Sequence, residues 1–427
     1  MAEQTSTVLL ICFVLLLADL YLIGGLRAGL KKWKFAQKRA FTVIYWMISL
    51  MLIGGVVLSI FLRTGLGVRS VFLLVFFLSL FIKALFLPFV IVDDIRRLII
   101  WFRQRSKKKP EQTLSNNKPV PNAIPRSEFL MKAGLLAGSI PLAGLTYGTI
   151  SGVYDYRVKH RRLYLPNLPK AFDGIKLGQI SDIHSGSFYN KKAVLGGVEM
   201  LLKEKPDFIF FTGDLVNKQS KEMYGYQDIF SKVKAPLGVY SSLGNHDYGD
   251  YYDWPSWDAQ RQDFADLIAT HKNMGWDLLM NTNRRLKVDG EEIGILGVEN
   301  WGSITRFPRR GRLDLATQNT DDLPVKLLLS HDPSHWRAQV LDYPQIDVMF
   351  AGHTHGMQCG VRLEHFQWSP IQYIYKEWAG LYREGAQQLY VNVGYGFLGY
   401  PGRLGILPEI TIFELKASAD PSLKNRA

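Results

Sequence analysis

Cysteine is almost missing from this chain of 427 residues, with only Cys12 and Cys359 present. Cys12 sits in an apolar run, so a structural disulfide is not expected and no Cys-rich zinc site is available. Internal repeats are missing as well. The composition excludes collagen, low-complexity disorder and a disulfide scaffold. Residues 155–427 also lack any excess of one charge, holding 32 Lys/Arg and 32 Asp/Glu. The whole formal charge of +13 therefore lies in residues 1–154, with 19 Lys/Arg against 6 Asp/Glu. A nucleic-acid partner is not expected, because the larger C-terminal part carries no basic excess. At about 100–200 residues per domain, the length implies two or three domains.

Long hydrophobic runs fill the N-terminal third. Residues 8–26 are apolar except for Asp19, residues 40–62 carry no charge, and residues 70–92 are apolar except for Lys83. Each run is long enough to cross about 30 Å of hydrocarbon as a helix. They are apolar on all sides, unlike amphipathic core helices. A fourth run, 133–154, is rich in Gly and Ala, contains Pro141, and follows Arg126-Ser127-Glu128-Phe129-Leu130-Met131-Lys132. That preface resembles a twin-arginine export signal with one arginine missing, so the run is a signal-like anchor or a fourth span. The domain division is then 1–102 for three spans, 103–132 for a basic linker, 133–154 for the fourth span or anchor, and 155–427 for a globular domain.

Loop charges set the orientation. Six Lys/Arg separate the first two runs, two separate the next two, and ten occupy residues 93–132. The excess of basic residues in cytoplasmic loops places 27–39 and 93–132 inside. Residues 155–427 are then expected outside the cytoplasm, attached to a bacterial inner membrane by several spans. Asp19 and Lys83 fall at similar depths, and an intramembrane ion pair would remove the cost of isolated charges there.

From residue 174 the pattern changes to short apolar strands with polar tips. Gly174–Ile180 leads to Asp182 and His184, and Phe208–Phe211 to Gly213-Asp214. Val239–Leu243 leads to Gly244-Asn245-His246-Asp247. Lys326–Leu329 leads to Ser330-His331, and Val348–Phe350 to Gly352-His353-Thr354-His355. Such strands, alternating with helical stretches such as Lys191–Lys205, imply an α/β sheet with a ligand site at the strand ends. Asp, Asn and His without thiolates suit Mn, Fe or Zn, and two divalent ions close together need a bridging carboxylate.

These five blocks, in this order over roughly residues 170–415, resemble the calcineurin-like metallophosphoesterase superfamily. The stretches Trp378-Ala379-Gly380-Leu381-Tyr382 and Val391-Asn392-Val393-Gly394 are similar to its bacterial membrane-anchored phosphodiesterases. The resemblance implies a four-layer α/β/β/α sandwich behind the transmembrane helices and two divalent metal ions. It assigns Asp182, His184 and His355 to the first ion, Asp214 as a bridge, and Asn245, His331 and His353 to the second. His246 faces the substrate phosphate and assists the leaving group, with Asp247 expected to hold its ring. Met357 departs from the pattern where a second glycine is expected.

The reaction implied is metal-assisted hydrolysis by an activated hydroxide. Phosphomonoesters, phosphodiesters and pyrophosphates all suit such a site. Aromatic residues crowd both motif loops, including Tyr248, Tyr251, Tyr252, Trp254, Phe366, Trp368, Tyr373 and Tyr375. With the membrane segments, they point to a lipid-linked phosphodiester or pyrophosphate. The alternatives are a protein or small-molecule phosphomonoesterase, and a silent phosphate-binding receptor. Neither the metal nor the oligomeric state is readable from the chain.

Overall fold

The computed structural model describes residues 2–61, 66–106, 126–363 and 366–418. The chain forms two compact units, 1–146 and 147–427.

Three helices among the described residues are long and apolar enough to cross a membrane: Leu10–Gly29, Arg39–Leu58 and Glu128–Ile150, the last ending just inside the second unit. The remaining expected span, 70–92, lies in the helix Leu66–Ser106, whose 41 residues run well past it. At 1.5 Å per residue it is about 60 Å long, roughly twice what hydrocarbon requires. It continues beyond residue 92 because Asp93 pairs with Arg96 at 2.9 Å and Arg97 at 2.7 Å, one turn on. The expected linker 103–132 is accordingly helical at both ends, up to Ser106 and again from Arg126. A Glu128–Lys132 pair at 2.7 Å supports that second start. Residues 107–125, with Lys107, Lys108 and Lys109, lie outside the described residues.

Asp19 is fully buried and forms an ion pair with Lys83 at 2.8 Å. The hydroxyls of Tyr45 and Ser49 also donate to its carboxylate. A carboxylate with that many donors is compensated, which is the condition for keeping it among apolar helices.

The second unit contains two six-stranded sheets. The first runs Arg157–Tyr164, Glu409–Lys416, Lys176–Ile180, Phe208–Thr212, Val239–Ser242, Asp277–Leu278 across its width. The second runs Gly380–Glu384, Gln387–Val391, Val348–Ala351, Lys326–Leu329, Glu291–Gly297, Thr282–Val288. Strand alternation builds the layers. Phe208 and Phe210 point between the sheets, into a core with Ile293, Ile295, Leu327 and Phe350. Ile209 and Phe211 point outward, packing with Val194, Val198 and Leu267 of the covering helices Lys191–Lys203 and Trp257–Met274. Leu328 and Met349 point away from the first sheet, toward Trp336 and Val340. The outcome is the expected α/β/β/α sandwich.

Parallel pairing puts the strand ends together. Lys176–Ile180, Phe208–Thr212 and Val239–Ser242 are parallel neighbours, and so are Lys326–Leu329 and Val348–Ala351. Their C-terminal ends therefore meet at one edge of the sandwich, as ligand sites in such sheets require. Beneath that edge the buried Gln179 side chain donates to Thr212 Oγ1 in its own sheet and to the Ala351 carbonyl in the other, both at 3.1 Å.

Candidate metal centre

Asp182, His184, Asp214, His353 and His355 all have left-handed backbones, with φ from 48° to 71°. Residues other than glycine rarely occupy this region, and such conformations persist where the surroundings impose them. Here backbone hydrogen bonds impose them. The Asp182 N–H donates to Gly213 O at 2.9 Å and the His184 N–H to Asp214 O at 3.1 Å. The His353 N–H donates to the Asp182 carboxylate at 2.9 Å. Each chain therefore leaves its strand and turns its polar side chain back over the sheet edge. Two glycines allow the close approach: a side chain at Gly244 would run into the Asp214 carboxylate, and one at Gly352 into that of Asp182.

The side chains gather in two buried groups, Asp182–His184–His355 and Asp214–His331–His353, each with ligand-type atoms within 4.8 Å of one another. In the first, His355 Nε2 is 3.2 Å from Asp182 Oδ1, and the His184 and His355 Nε2 atoms are 3.0 Å apart. In the second, His331 Nε2 is 3.1 Å from Asp214 Oδ2. The same Asp214 oxygen lies 3.4 Å from His184 Nε2, so Asp214 joins the groups. His331 Nδ1 faces the Thr212 carbonyl at 2.7 Å and must donate to it, which leaves Nε2 free as a ligand atom.

Asn245 lies beside them, its Nδ2 donating to Tyr251 at 2.9 Å. Its Oδ1 is buried without a hydrogen-bond partner. A buried unsatisfied carbonyl oxygen among carboxylates and imidazoles is what a bound cation would explain. The residues present fit divalent metal ions at both groups.

The electrostatics agree. Burial opposes ionisation of Asp182, but the His355 charge and hydrogen bond prevail and hold its carboxyl below the usual range. Asp214 is likewise held low against burial, by His331 and His246. His331 is pulled up to about 10 by Asp214, against burial. Burial pushes the His184 and His353 imidazoles down, keeping them neutral. Two ionised carboxylates favour cations, and a cation bound there would take the place of the proton that Asp214 holds on His331.

His246 is half-buried and lies at the edge of the site, its ring 5.0 Å from that of His184. Its backbone N–H donates to Asp214 Oδ1 at 2.9 Å. The expected support by Asp247 is not what the structure holds. His246 Nδ1 faces the Asn217 carbonyl at 2.7 Å instead. Asp247 turns the other way, accepting from the backbone N–H groups of Asp214, Leu215 and Gly244 at 2.8–2.9 Å. The physical reason is the 3-10 turn Asn245–Tyr248, in which adjacent side chains point about 120° apart.

Several supporting groups had no sequence signal. The Glu222 carboxylate accepts from the Asn217 N–H at 2.6 Å and fixes the loop that carries the His246 acceptor. Arg403 is fully buried and donates to the carbonyls of Val393 at 2.9 Å and Gly396 at 3.0 Å. The Gly396 N–H in turn holds the Asp182 carbonyl at 2.8 Å. Tyr375, in the sequence one aromatic among many, meets His353 Nε2 at 2.8 Å. Met357 is left-handed at φ 51°, which is why glycine suits the position, and its side chain is half exposed. Asp332 accepts from the Ser334 N–H at 2.8 Å as a local cap. His335 packs on Trp301, and His271 is buried beside Ser241 Oγ at 3.0 Å, so neither reaches the cluster. His365 lies outside the described residues.

Residues 175–357 match the family described as calcineurin-like phosphoesterase. Residues 5–153 match a probable calcineurin-like phosphoesterase transmembrane domain. Residues 175–357 are thus a calcineurin-like phosphoesterase domain. Members of this family are phosphoester hydrolases that use divalent metals, and this one is membrane-associated. Among its relatives is the metallophosphoesterase YkuE of Bacillus subtilis, 28% identical over 307 residues, which cover 69% of this chain and 98% of that protein. A transmembrane protein with a metallophosphoesterase domain from Danio rerio is 25% identical, over 71% of this chain and 67% of its own. The phosphodiesterase YaeI of Escherichia coli is 24% identical, over 60% of this chain and 87% of its own.

Proposed function

We propose that this metallophosphoesterase is a phosphodiesterase or pyrophosphatase acting on a lipid-linked substrate. The observation that carries the reading is the single Asp214 oxygen shared between His184 and His331, which joins two cation-fitting groups into one centre. Asp182, His184 and His355 would hold one ion; Asn245, His331 and His353 the other; Asp214 both. Mn, Fe and Zn suit this donor set. Cations held there would supply acidification of water and neutralisation of charge on a phosphoryl oxygen.

The rest follows from the protein's own groups. His246 donates through Nδ1 to the Asn217 carbonyl, so its Nε2 is the atom left to face a substrate. General-acid assistance requires the ring to carry a second proton, on Nε2; its transfer to the departing oxygen leaves the neutral ring with its remaining proton on Nδ1. Tyr251 packs against the His246 ring at 4.4 Å with the planes tilted by 36°, and its hydroxyl accepts from the Asn245 amide, so one side chain contacts both. The preference for diesters draws on the phosphodiesterase relative. The preference for a lipid draws on the membrane helices and exposed aromatics. The balance of basic residues favours an extracytoplasmic site at a bacterial inner membrane.

The test is turnover by the full-length protein in detergent with Mn²⁺, comparing bis-p-nitrophenyl phosphate, p-nitrophenyl phosphate and a glycerophospholipid. Cleavage of the diester and the phospholipid in preference to the monoester is expected. Preference for the monoester would replace this reading with a phosphomonoesterase.

A further inference from the structure

We propose that the described residues after the His353–His355 motif, 361–363 and 366–374, form a membrane-docking surface, seated in the bilayer interface next to the catalytic site. This deepens the lipid-linked reading and rests on it, and on the helix ending at Ile150 crossing the membrane.

The segment makes a small excursion from the sandwich. Val361–Arg362 pairs with Gln367–Trp368 as an isolated two-stranded ribbon, and Leu363 N–H donates to Phe366 O at 2.8 Å. Its apolar residues face solvent: Leu363 is 68% exposed, Phe366 57%, Tyr373 77% and Ile374 60%. Single exposed apolar residues are ordinary, but several in one short segment mark an interaction surface. Tyr375, next in the chain, turns inward to His353. The exposed surface and the metal-site residues are therefore continuous along the backbone.

What covers this surface is indicated by where the second unit meets the end of its membrane helix. The last turn of that helix, Tyr147–Ile150, belongs to this unit. The Gly148 carbonyl accepts from the Arg403 N–H at 3.1 Å, and the Thr149 carbonyl from the Tyr189 hydroxyl at 3.3 Å. The same loop meets the base of the ribbon: Leu404 N–H donates to Gln358 O at 2.7 Å, and Gly360 N–H to Leu404 O at 2.9 Å. The Gln358 amide donates to the carbonyls of Tyr400 and Gly402 at 2.7 and 3.0 Å. One hydrogen-bonded strip thus joins the point where a membrane helix ends to the base of an aromatic and aliphatic ribbon. A lipid interface is the partner whose chemistry suits amphipathic rings and aliphatic side chains at that position.

The test uses the full chain in phosphatidylcholine nanodiscs. Cys12→Ala and Cys359→Ser provide the background, and Leu363→Cys carries an environment-sensitive fluorophore. The same label at Gln262→Cys, on the exposed side of the helix Trp257–Met274, is the control. Docking predicts a blue-shifted label at 363, quenched several-fold more by nitroxide lipids than the label at 262, from a depth of about 5–10 Å. Equal, weak lipid quenching at both positions with free access of iodide to 363 would overturn the proposal. Shielding of 363 from both quenchers would overturn it in favour of a protein contact. A Leu363→Glu, Ile374→Glu variant separates this from the hydrolase reading. It is expected to keep turnover of the soluble diester while phospholipid cleavage in nanodiscs falls several-fold. If the unsubstituted protein turns over neither substrate, the hydrolase reading fails and the quenching result still decides docking.

Discussion

The Asp247 carboxylate accepts a hydrogen bond from the backbone N–H of Asp214 at 2.9 Å. It accepts two more from Leu215 and Gly244, both at 2.8 Å. It therefore holds the backbone of Asp214, the residue proposed to be shared by the two ions, and not the ring of its neighbour in sequence. The left-handed backbone of Asp214 is one consequence of that clamp.

Replacement of Asp247 is expected to weaken metal binding before it changes chemistry. Asp247→Asn puts an amide donor where one acceptor oxygen stood, against backbone donors. The predicted result is a 10–100-fold loss of affinity for Mn²⁺ and a stability loss of about 1–3 kcal/mol. Metal titration and thermal unfolding check both. An unchanged metal affinity with a shifted pH–rate profile would instead return Asp247 to the role of partner to His246.

His246 is expected to affect turnover and leave the metals in place. His246→Gln should lower kcat by about 10²–10⁴-fold. The loss should be larger for alkyl leaving groups, which need a proton, than for p-nitrophenolate, which does not. Rates across a series of diesters, with metal content measured on the same samples, provide the check. Equal losses for every leaving group would remove the general-acid role.

The membrane ion pair makes a separate prediction. Asp19→Lys places two cations together among apolar helices and should destabilise the bundle by about 3–5 kcal/mol, as breaking a buried pair does. Adding Lys83→Asp restores the pairing and should recover a large part of that loss. Yield and thermal stability in mild detergent, compared for the single and double variants, test it. A double variant no better than the single one would show that the pairing is not what matters.

Stability should also depend on pH through His271, away from the metal site. Burial pushes this imidazole down to about 3 from an ordinary 6.5. The unfolded chain therefore takes up its proton first as pH falls. The stability associated with neutral His271 is fully present above about pH 6.5 and is lost progressively toward 3. Between pH 7 and 4.5 the loss amounts to about 2–3 kcal/mol. His271→Asn has no such proton, so its unfolding temperature should fall less over the same interval than that of the unsubstituted protein. Identical slopes would contradict the assignment.

The strands and their polar tips were legible because parallel strands buried on both sides need short apolar runs, and their ends are marked by Gly, Asp, Asn and His. The meeting of Asp182, Asp214, His331 and His355 followed from that pattern. The supports did not. Asn217 and Thr212 act through backbone carbonyls, which any residue type supplies. Arg403 belongs to none of the motif blocks, and only the fold buries it beside the ligands. Adjacency in sequence misdirected the reading of Asp247, because a 3-10 turn separates neighbouring side chains. The long helix Leu66–Ser106 escaped for a related reason: hydropathy marks the part that suits hydrocarbon, while ion pairs decide how far the helix continues.

The most direct test of the account is the metal content of the full-length protein and of Asp214→Asn, measured beside diester turnover. The account predicts two divalent ions per chain, a loss of bound metal in the variant, and loss of bis-p-nitrophenyl phosphate cleavage with it. Two ions retained and cleavage unchanged in Asp214→Asn would contradict the shared carboxylate on which the proposed centre depends.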